Sequence, residues 1–323
     1  MNLKRKITNY GIAFLIILSL NFLLPRLMPG TPLTAIYGEE VLVQMTPEFK
    51  ASLIKRFALD EPLYKQFIFY IFSLFRGDLG YSYYQSGSVF QIILAHLPWT
   101  FLLVGFSLIL STIGGIILGI ESGWRRGKIA DKAILTGMMT LSGFPSFFMG
   151  IMLLLFFAVN LGLFPLQGAR TPYADIYGIW LVLDVVKHFI LPLAALVLVE
   201  VSGCYLLTRN TMIMTLRKSF ILTAKAKGLP DKKVRYRHAG RNSLLPVVTR
   251  TGIKLGTAVT GALFIEIIFS YPGVGNLIYS SLLMRDYPVL QGTLLMVAIF
   301  VLVANFFVDL MYKKLDPRVQ NAY

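Results

Sequence analysis

Cysteine occurs once, at Cys204, and histidine three times, at His96, His188 and His238. A lone thiol excludes an internal disulfide framework and any multi-thiolate metal site. The histidines lie too far apart in sequence to suggest co-ligands. Charge is also scarce: 15% of the 323 residues are charged and 56% are hydrophobic, with a mean hydropathy of +0.67. A soluble domain cannot hide that much apolar surface, so the chain reads as an integral membrane protein. Acids are the scarcer sign, 16 against 31 Lys and Arg, for a net charge of +15. In a soluble protein that excess would suggest nucleic acid; in a membrane protein it is first a topological bias. Catalytic signatures are missing too. Gly123-Trp-Arg-Arg-Gly127-Lys128 has the wrong spacing for a nucleotide-binding loop and follows no strand. No His-Glu-x-x-His, no Gly-x-Ser-x-Gly and no paired intramembrane aspartates occur. An enzyme is not expected, and work on a solute would draw energy from another chain or an ion gradient.

What is present is a series of apolar runs without internal repeat. Lys4, Arg5 and Lys6 precede a first run, about 7–24. It is followed by Pro25, Arg26 and Pro29 with no small-residue cleavage site, so an uncleaved span is expected. Residues 30–96 form the one extended region of mixed polarity. There Thr46-Pro47-Glu48 makes a good helix start. An aromatic helix from Pro62 to Arg76, stopped by Gly77, is too short to cross and belongs at the interface or against other spans. Further spans are expected at about 99–120, 133–159 (bent near Gly143 and Pro145), 188–207, 244–268 and 289–311. Gly115-x-x-x-Gly119 in the second would permit close helix approach. Short connections, 160–187 and 269–288, separate the later spans.

Charge decides the orientation. The N-terminus, 121–132, 209–254 and the tail together hold 22 of the 31 basic residues. The positive-inside bias therefore puts both termini in the cytoplasm, with six spans. This divides the chain into 1–29 (N-terminus and first span), 30–96 (extracytoplasmic), 97–312 (five-helix core with a cytoplasmic loop at 209–243) and a cytoplasmic tail, 313–323. Nucleic-acid binding drops out.

Between the fourth and fifth spans lies a basic island with ten Lys or Arg from Arg209 to Arg241 and one acid, Asp231. Met212, Leu216 and Phe220 give an apolar stripe, while Arg217, Ile221 and Lys225 follow another face. An amphipathic helix over 211–227 is expected. Gly228 suits a left-handed cap, Pro230 prevents continuation, and Asp231 is placed to cap a second helix, 232–239, closed by Gly240. Helix, sharp turn, helix makes a compact knob; an amphipathic loop lying on anionic lipid is the competing reading. Among ionisable groups at membrane depth, Glu200 lies well inside the fourth span. It is either a carboxylate satisfied by neighbouring helices or one that touches solute. Lys254 and Glu266 sit nearer span ends, where they are expected to snorkel.

The island resembles the cytoplasmic coupling loop of permease subunits of ABC importers, in the form found in dipeptide, oligopeptide and nickel permeases. Thr223 to Leu229 (TAKAKGL) is similar to that family's TARAKGL-type segment, and Arg237-His238-Ala239 with Arg241 to Pro246 to its RHALRNALIP-type continuation. Leu222 stands where the broader EAA motif has Glu, and Thr223 replaces its first Ala, as in the peptide/nickel branch. The resemblance extends along nearly the whole chain. It includes Leu27 to Pro32, Leu59 to Leu63, Phe75 to Ser82, Glu266 to Gly275, Arg285 to Pro288, Asp309 to Tyr312, and Leu315 to Arg318.

It implies an all-α membrane protein of the type I ABC importer permease kind, in the inner (plasma) membrane of a prokaryote. The implied partners are a second permease subunit, two cytoplasmic ATPases that use the ATP, and an extracytoplasmic solute-binding protein. This chain itself would hold no cofactor. Thr223, Ala224, Ala226, Gly228, Leu229, Lys232, Arg237, His238, Arg241 and Asn242 would form the coupling loop. Arg76, Gly77, Asp78, Gly80, Pro272, Gly273, Gly275, Arg285 and Asp286 would serve the extracytoplasmic gate and docking surface, and Glu200 and Glu266 are the intramembrane polar candidates. Peptides are the expected solute, with nickel or a metal chelate, or a gradient-driven carrier, as alternatives.

Overall fold

Apolar helix-forming runs dominate the sequence, and the computed structural model is correspondingly almost all helix. It describes residues 3–23, 33, 39–56, 61–82 and 84–315. The motifs at 27–32 and 316–318 and the Leu59-Asp60 pair lie outside the described residues. The first expected span falls in α1, Leu3–Leu23. Three short helices follow: α2 (Glu39–Gln44), α3 (Pro47–Arg56) and α4 (Leu63–Phe75). As expected, Thr46 caps α3, its Oγ1 accepting from the Phe49 amide at 3.3 Å. Helix α4 ends at Arg76 with Gly77 left-handed at φ +75°. A two-residue hairpin, β1 (Tyr81–Ser82) with β2 (Gly87–Ser88), leads into α5, Val89–Trp124.

Helix α5 runs 36 residues, ten residues upstream of the expected start. Pro98 lies inside it; the ring removes one hydrogen bond without stopping the helix. The third expected span, 133–159, falls in α6 (Ile129–Ser142) and α7 (Ser146–Leu153), continued by π-helical turns over Leu154–Asn160. The expected bend at Gly143 and Pro145 amounts to 100°. Helix α8 covers Ile179–Leu216, 38 residues, so the polar connection before it ends at Gly178 and not at Lys187. Then come α9 (Ser219–Ala226), α10 (Asp231–Lys233), π-helical turns over Val234–Gly240, α11 (Arg241–Ser243) and α12 (Leu245–Ile268). The connection expected at 269–288 contains a helix of its own, α13 (Val274–Leu283), before α14 (Tyr287–Leu315). Among the described residues, helices α5, α8 and α14 are each long and apolar enough to cross a membrane, and the bent pair would add a fourth if it is one span.

The described chain forms two compact units. One comprises residues up to Thr100 with Pro272–Phe306. Its core is Val89, Ile93, Leu277 and Val289. Gly292 is there because an added Cβ would lie 2.6 Å from Val89. Helix α4 lies on α1, as its length implied, with Phe22 against Phe67 (5.1 Å) and Tyr70 (5.6 Å).

The other unit, Phe101–Tyr271 with residues from Phe307 on, is organised by α5 against α8. Added Cβ atoms at Gly115, Gly119 and Gly123 would lie 2.6, 2.5 and 2.8 Å from the Cβ atoms of Cys204, Thr208 and Met212. The expected close approach thus extends to a third glycine, one residue per turn. On α5, Ile109, Ile113 and Ile117 are exposed, as a lipid-facing stripe requires. Between helices in lipid, burying apolar surface gains little, so close packing carries the association.

Gly119→Ala should therefore lower the melting temperature of the detergent-solubilised protein, at a cost of about 1–3 kcal/mol for overpacking. Gly105→Ala, where an added Cβ meets nothing within 4 Å, should leave it within a degree or two.

Candidate coupling knob and the charged clusters of the core

The basic island folds as a knob with its own small core. Ile120 of α5, Met212 of α8, Ile221 and Ala224 of α9, and Val234 and Ala239 of the π-helical turns are all buried together. Trp124, Leu216 and Leu229 pack against them. The single helix expected over 211–227 is two: α8 ends at Leu216, and α9 starts after a break at Arg217–Lys218. The break shifts the buried face, so Ile221 is buried at 1% while Phe220 is exposed at 37%. Gly228 takes φ +71° as expected, and Pro230 follows.

Two expectations about the second half of the knob are corrected. Asp231 is the first residue of α10 and makes no capping bond; Pro230 precedes it in an extended conformation. Gly240 does not close the helix, because its φ of −57° is helical and the chain continues into α11. Its lack of a side chain serves packing instead. An added Cβ would lie 3.0 Å from the Arg235 carbonyl and 3.1 Å from Ile120 Cδ1.

Of the expected coupling residues, Thr223, Ala226, Gly228, Lys232, Arg237, Arg241 and Asn242 are exposed, and His238 and Leu229 are half-buried. Ala224 is buried. Asn242 donates to the His238 carbonyl at 2.7 Å. Leu222 and Tyr236 add exposed apolar surface beside them. Pro230, Lys232, Lys233, Tyr236 and Arg237 line a shallow depression.

Two acids within the basic 121–132 loop, passed over in the sequence reading, hold the knob and its base. Glu121 accepts from Arg235 at 2.7 Å and from the Tyr236 hydroxyl at 2.5 Å. It also pairs with Arg125 at 3.3 Å. Its hydrogen bond to Tyr236 raises the phenol above its ordinary pKa. The Arg235 guanidinium lies 5.2 Å, and the Lys225 ammonium 5.4 Å, from the Trp124 ring centre. Asp131, 2% exposed, takes a two-pronged bond from Arg209 at 2.7 and 2.8 Å. It also accepts from Ser122 at 2.5 Å and from the Gly127 amide at 2.9 Å. Arg209 first, then those two donors, hold its carboxyl well below the usual range, against the opposing effect of burial. An acid inside an otherwise basic loop is the signal that would have marked both residues.

In the same unit, Glu200 of α8 pairs with Lys254 (2.8 Å) and Arg250 (3.6 Å) of α12. Lys254 does not snorkel but reaches Glu200. Glu266 does not snorkel either: it is fully buried.

The motif residues expected to serve the extracytoplasmic gate and docking surface belong to the other unit. Arg76 and Gly77 terminate α4. Asp78 accepts from the Gly80 amide at 3.1 Å. The Gly80 Cα faces Pro288, 3.7 Å from where a Cβ would stand. Asp286 is buried and accepts from the Ser82 hydroxyl, tying the hairpin to the start of α14. Arg285 before it is left-handed at φ +55°. Pro272 leads into Gly273, which starts α13, and the Val274 amide donates to Thr100 at 2.8 Å. Gly275 is buried in the first turn. The sequence motifs mark this network, although they are far apart in the chain.

Long apolar helices with a structured basic knob between two of them define a multi-pass membrane protein of the permease class. Residues 111–321 match the model of the binding-protein-dependent transport system inner membrane component family. The di/tripeptide transport system permease protein DppB of Pseudomonas aeruginosa is 34% identical, over 94% of this chain and 93% of that protein. The dipeptide transport system permease protein DppB of Escherichia coli K12 is 33% identical, over 95% of both. The oligopeptide transport system permease protein AppB of Bacillus subtilis is 32% identical, over 93% of both. The chain belongs to this family of inner membrane permease components.

Removing one partner of the Asp131–Arg209 pair strands a charge. Asp131→Ala should destabilise the solubilised protein by roughly 3–5 kcal/mol, and the double variant with Arg209→Met by less than the two single changes together. Because the Asp131 pKa is lowered, its contribution is complete above the ordinary carboxylate pKa and is lost as pH falls through the folded value. Thermal melts of wild type against the double variant should thus differ by a constant amount from pH 6 to 8.

Proposed function

We propose that this chain forms half of the translocation pathway of an ATP-driven peptide importer, with its knob docking on a cytoplasmic ATPase. The knob carries the reading. It is prefolded on its own buried core, held to α5 by Glu121, and presents Leu222, Lys232, Lys233, Tyr236 and Arg237 outward. A segment spread on lipid would have no need of a core or of a left-handed turn between two helices. Peptides are favoured as the solute because the relatives at 32–34% identity are named for dipeptides, tripeptides and oligopeptides. No observation favours nickel.

In this reading a second permease subunit supplies the other half of the pathway. Two ATPase subunits hydrolyse the ATP, and an extracytoplasmic binding protein delivers the peptide to the surface built around Asp78, Gly80 and Asp286. Both termini are cytoplasmic, as the positive-inside bias requires. Coupling works only if the ATPase groove holds the knob differently in its two states, since equal affinity shifts no equilibrium.

At Gly228 an added side chain has room, as nothing lies within 4 Å, so the cost is conformational, about 1–2 kcal/mol for a left-handed residue. In reconstituted complexes, Gly228→Val and the Lys232→Glu/Lys233→Glu pair should each cut peptide uptake at least 10-fold and abolish peptide-stimulated ATP hydrolysis. Normal coupled uptake in both would refute the docking role.

A further inference from the structure

Glu200, Arg250 and Lys254 are an unusual group for a membrane core. Glu200 lies twenty-one residues into α8, and the two cations lie within the first ten residues of α12. Two cations against one acid leave a net positive charge where an isolated charge is expensive. A purely structural tie would be expected to balance. The side chains are also not sealed: Glu200, Arg250 and Lys254 remain 28%, 29% and 36% exposed. Glu200 and Lys254 line a cavity of about 100 Å³ with Ser107 and Ser146.

The backbone is shaped around Arg250. Gly203 lies one turn from Glu200 on α8, and an added Cβ there would stand 2.3 Å from an Arg250 guanidinium nitrogen and 3.1 Å from its Cζ. Glycine at 203 is what admits the guanidinium to this face of α8. At 3.6 Å from Glu200, that nitrogen is beyond hydrogen-bonding distance, whereas Lys254 at 2.8 Å is fully engaged. Lys254 therefore balances Glu200, and the surplus charge is concentrated on Arg250, whose planar fork suits two-pronged binding of a carboxylate.

We propose that Arg250, positioned by Gly203 and beside the Glu200–Lys254 pair, binds the terminal carboxylate of a peptide passing through the membrane. This rests on the peptide-importer reading above. Glu200 tempers the site: it lowers the local positive potential, so that the carboxylate is held weakly enough to leave, as conduction requires.

The test uses the complete reconstituted importer, with one binding protein throughout, and measures uptake of a dipeptide with a free carboxylate and of its C-terminally amidated form. Because the binding protein is common to all variants, a change in the free-to-amidated ratio reports the membrane step. Arg250→Gln should lower that ratio about 10-fold, the scale of a lost charge-assisted hydrogen bond. Arg250→Lys should restore part of it. Gly203→Ala, which keeps every charge but displaces the guanidinium, should lower it as well. Assembly of each variant is checked by co-purification of the ATPase subunits. An unchanged ratio in Arg250→Gln and Gly203→Ala, whether total uptake persists or falls, overturns the assignment while leaving the importer reading intact. No ATP-driven uptake of either peptide by the wild type overturns the importer reading and this site with it.

Discussion

Helices α5 and α8 can meet at backbone distance because three turns of α5 present nothing larger than hydrogen. Much of the second unit follows from that approach. It places Cys204, Thr208 and Met212 against Gly115, Gly119 and Gly123, and so sets Ile120, Glu121 and Trp124 beside the chain that leaves α8. In lipid, where apolar surface has no water to escape, this shape fit is the main source of helix attachment. The knob inherits its position from it: Ile120 and Trp124 contribute to the knob's core, and Glu121 anchors Arg235 and Tyr236.

Charge in this protein is sorted by depth. At the base of the knob, Glu121 and Asp131 are each saturated by several donors, the arrangement in which a partly buried carboxylate stabilises and does not strain. Within the span, Glu200 has fewer donors and stays open to a cavity. The same residue type thus sits in two settings: a filled set of donors fixes structure at the knob, whereas within the span the acid lies beside two cations of which only Lys254 is within hydrogen-bonding reach.

The sequence was most informative where backbone chemistry is local. Thr46, Gly77, Gly228 and the Gly143–Pro145 bend were readable because capping, left-handed turns and proline act within a few residues. The Gly115–Gly119 spacing likewise announced its role. Helix ends were less legible. Pro98 looks like a boundary, yet it sits inside α5; the break at Arg217–Lys218 has no proline or glycine to announce it. Gly240 was read as a terminator by residue type, when the close approach of Ile120 is what demands it. The pairing of Lys254 with Glu200 crosses fifty-four positions, and the burial of Glu266 is tertiary, so both escaped any rule that works along the chain.

The break after Leu216 also gives α8 the properties of a lever. Its one internal proline, Pro192, lies beyond Glu200 as seen from the knob, so the sixteen residues between Glu200 and Leu216 form an uninterrupted rod. At 1.5 Å per residue that arm is about 24 Å long, and a tilt of about 5° at the knob end displaces Glu200 by about 2 Å. A displacement of that size equals more than half the 2.8 Å separation of Glu200 from Lys254. A rotation of that size at the knob, carried along this rod, would therefore be enough to separate the pair.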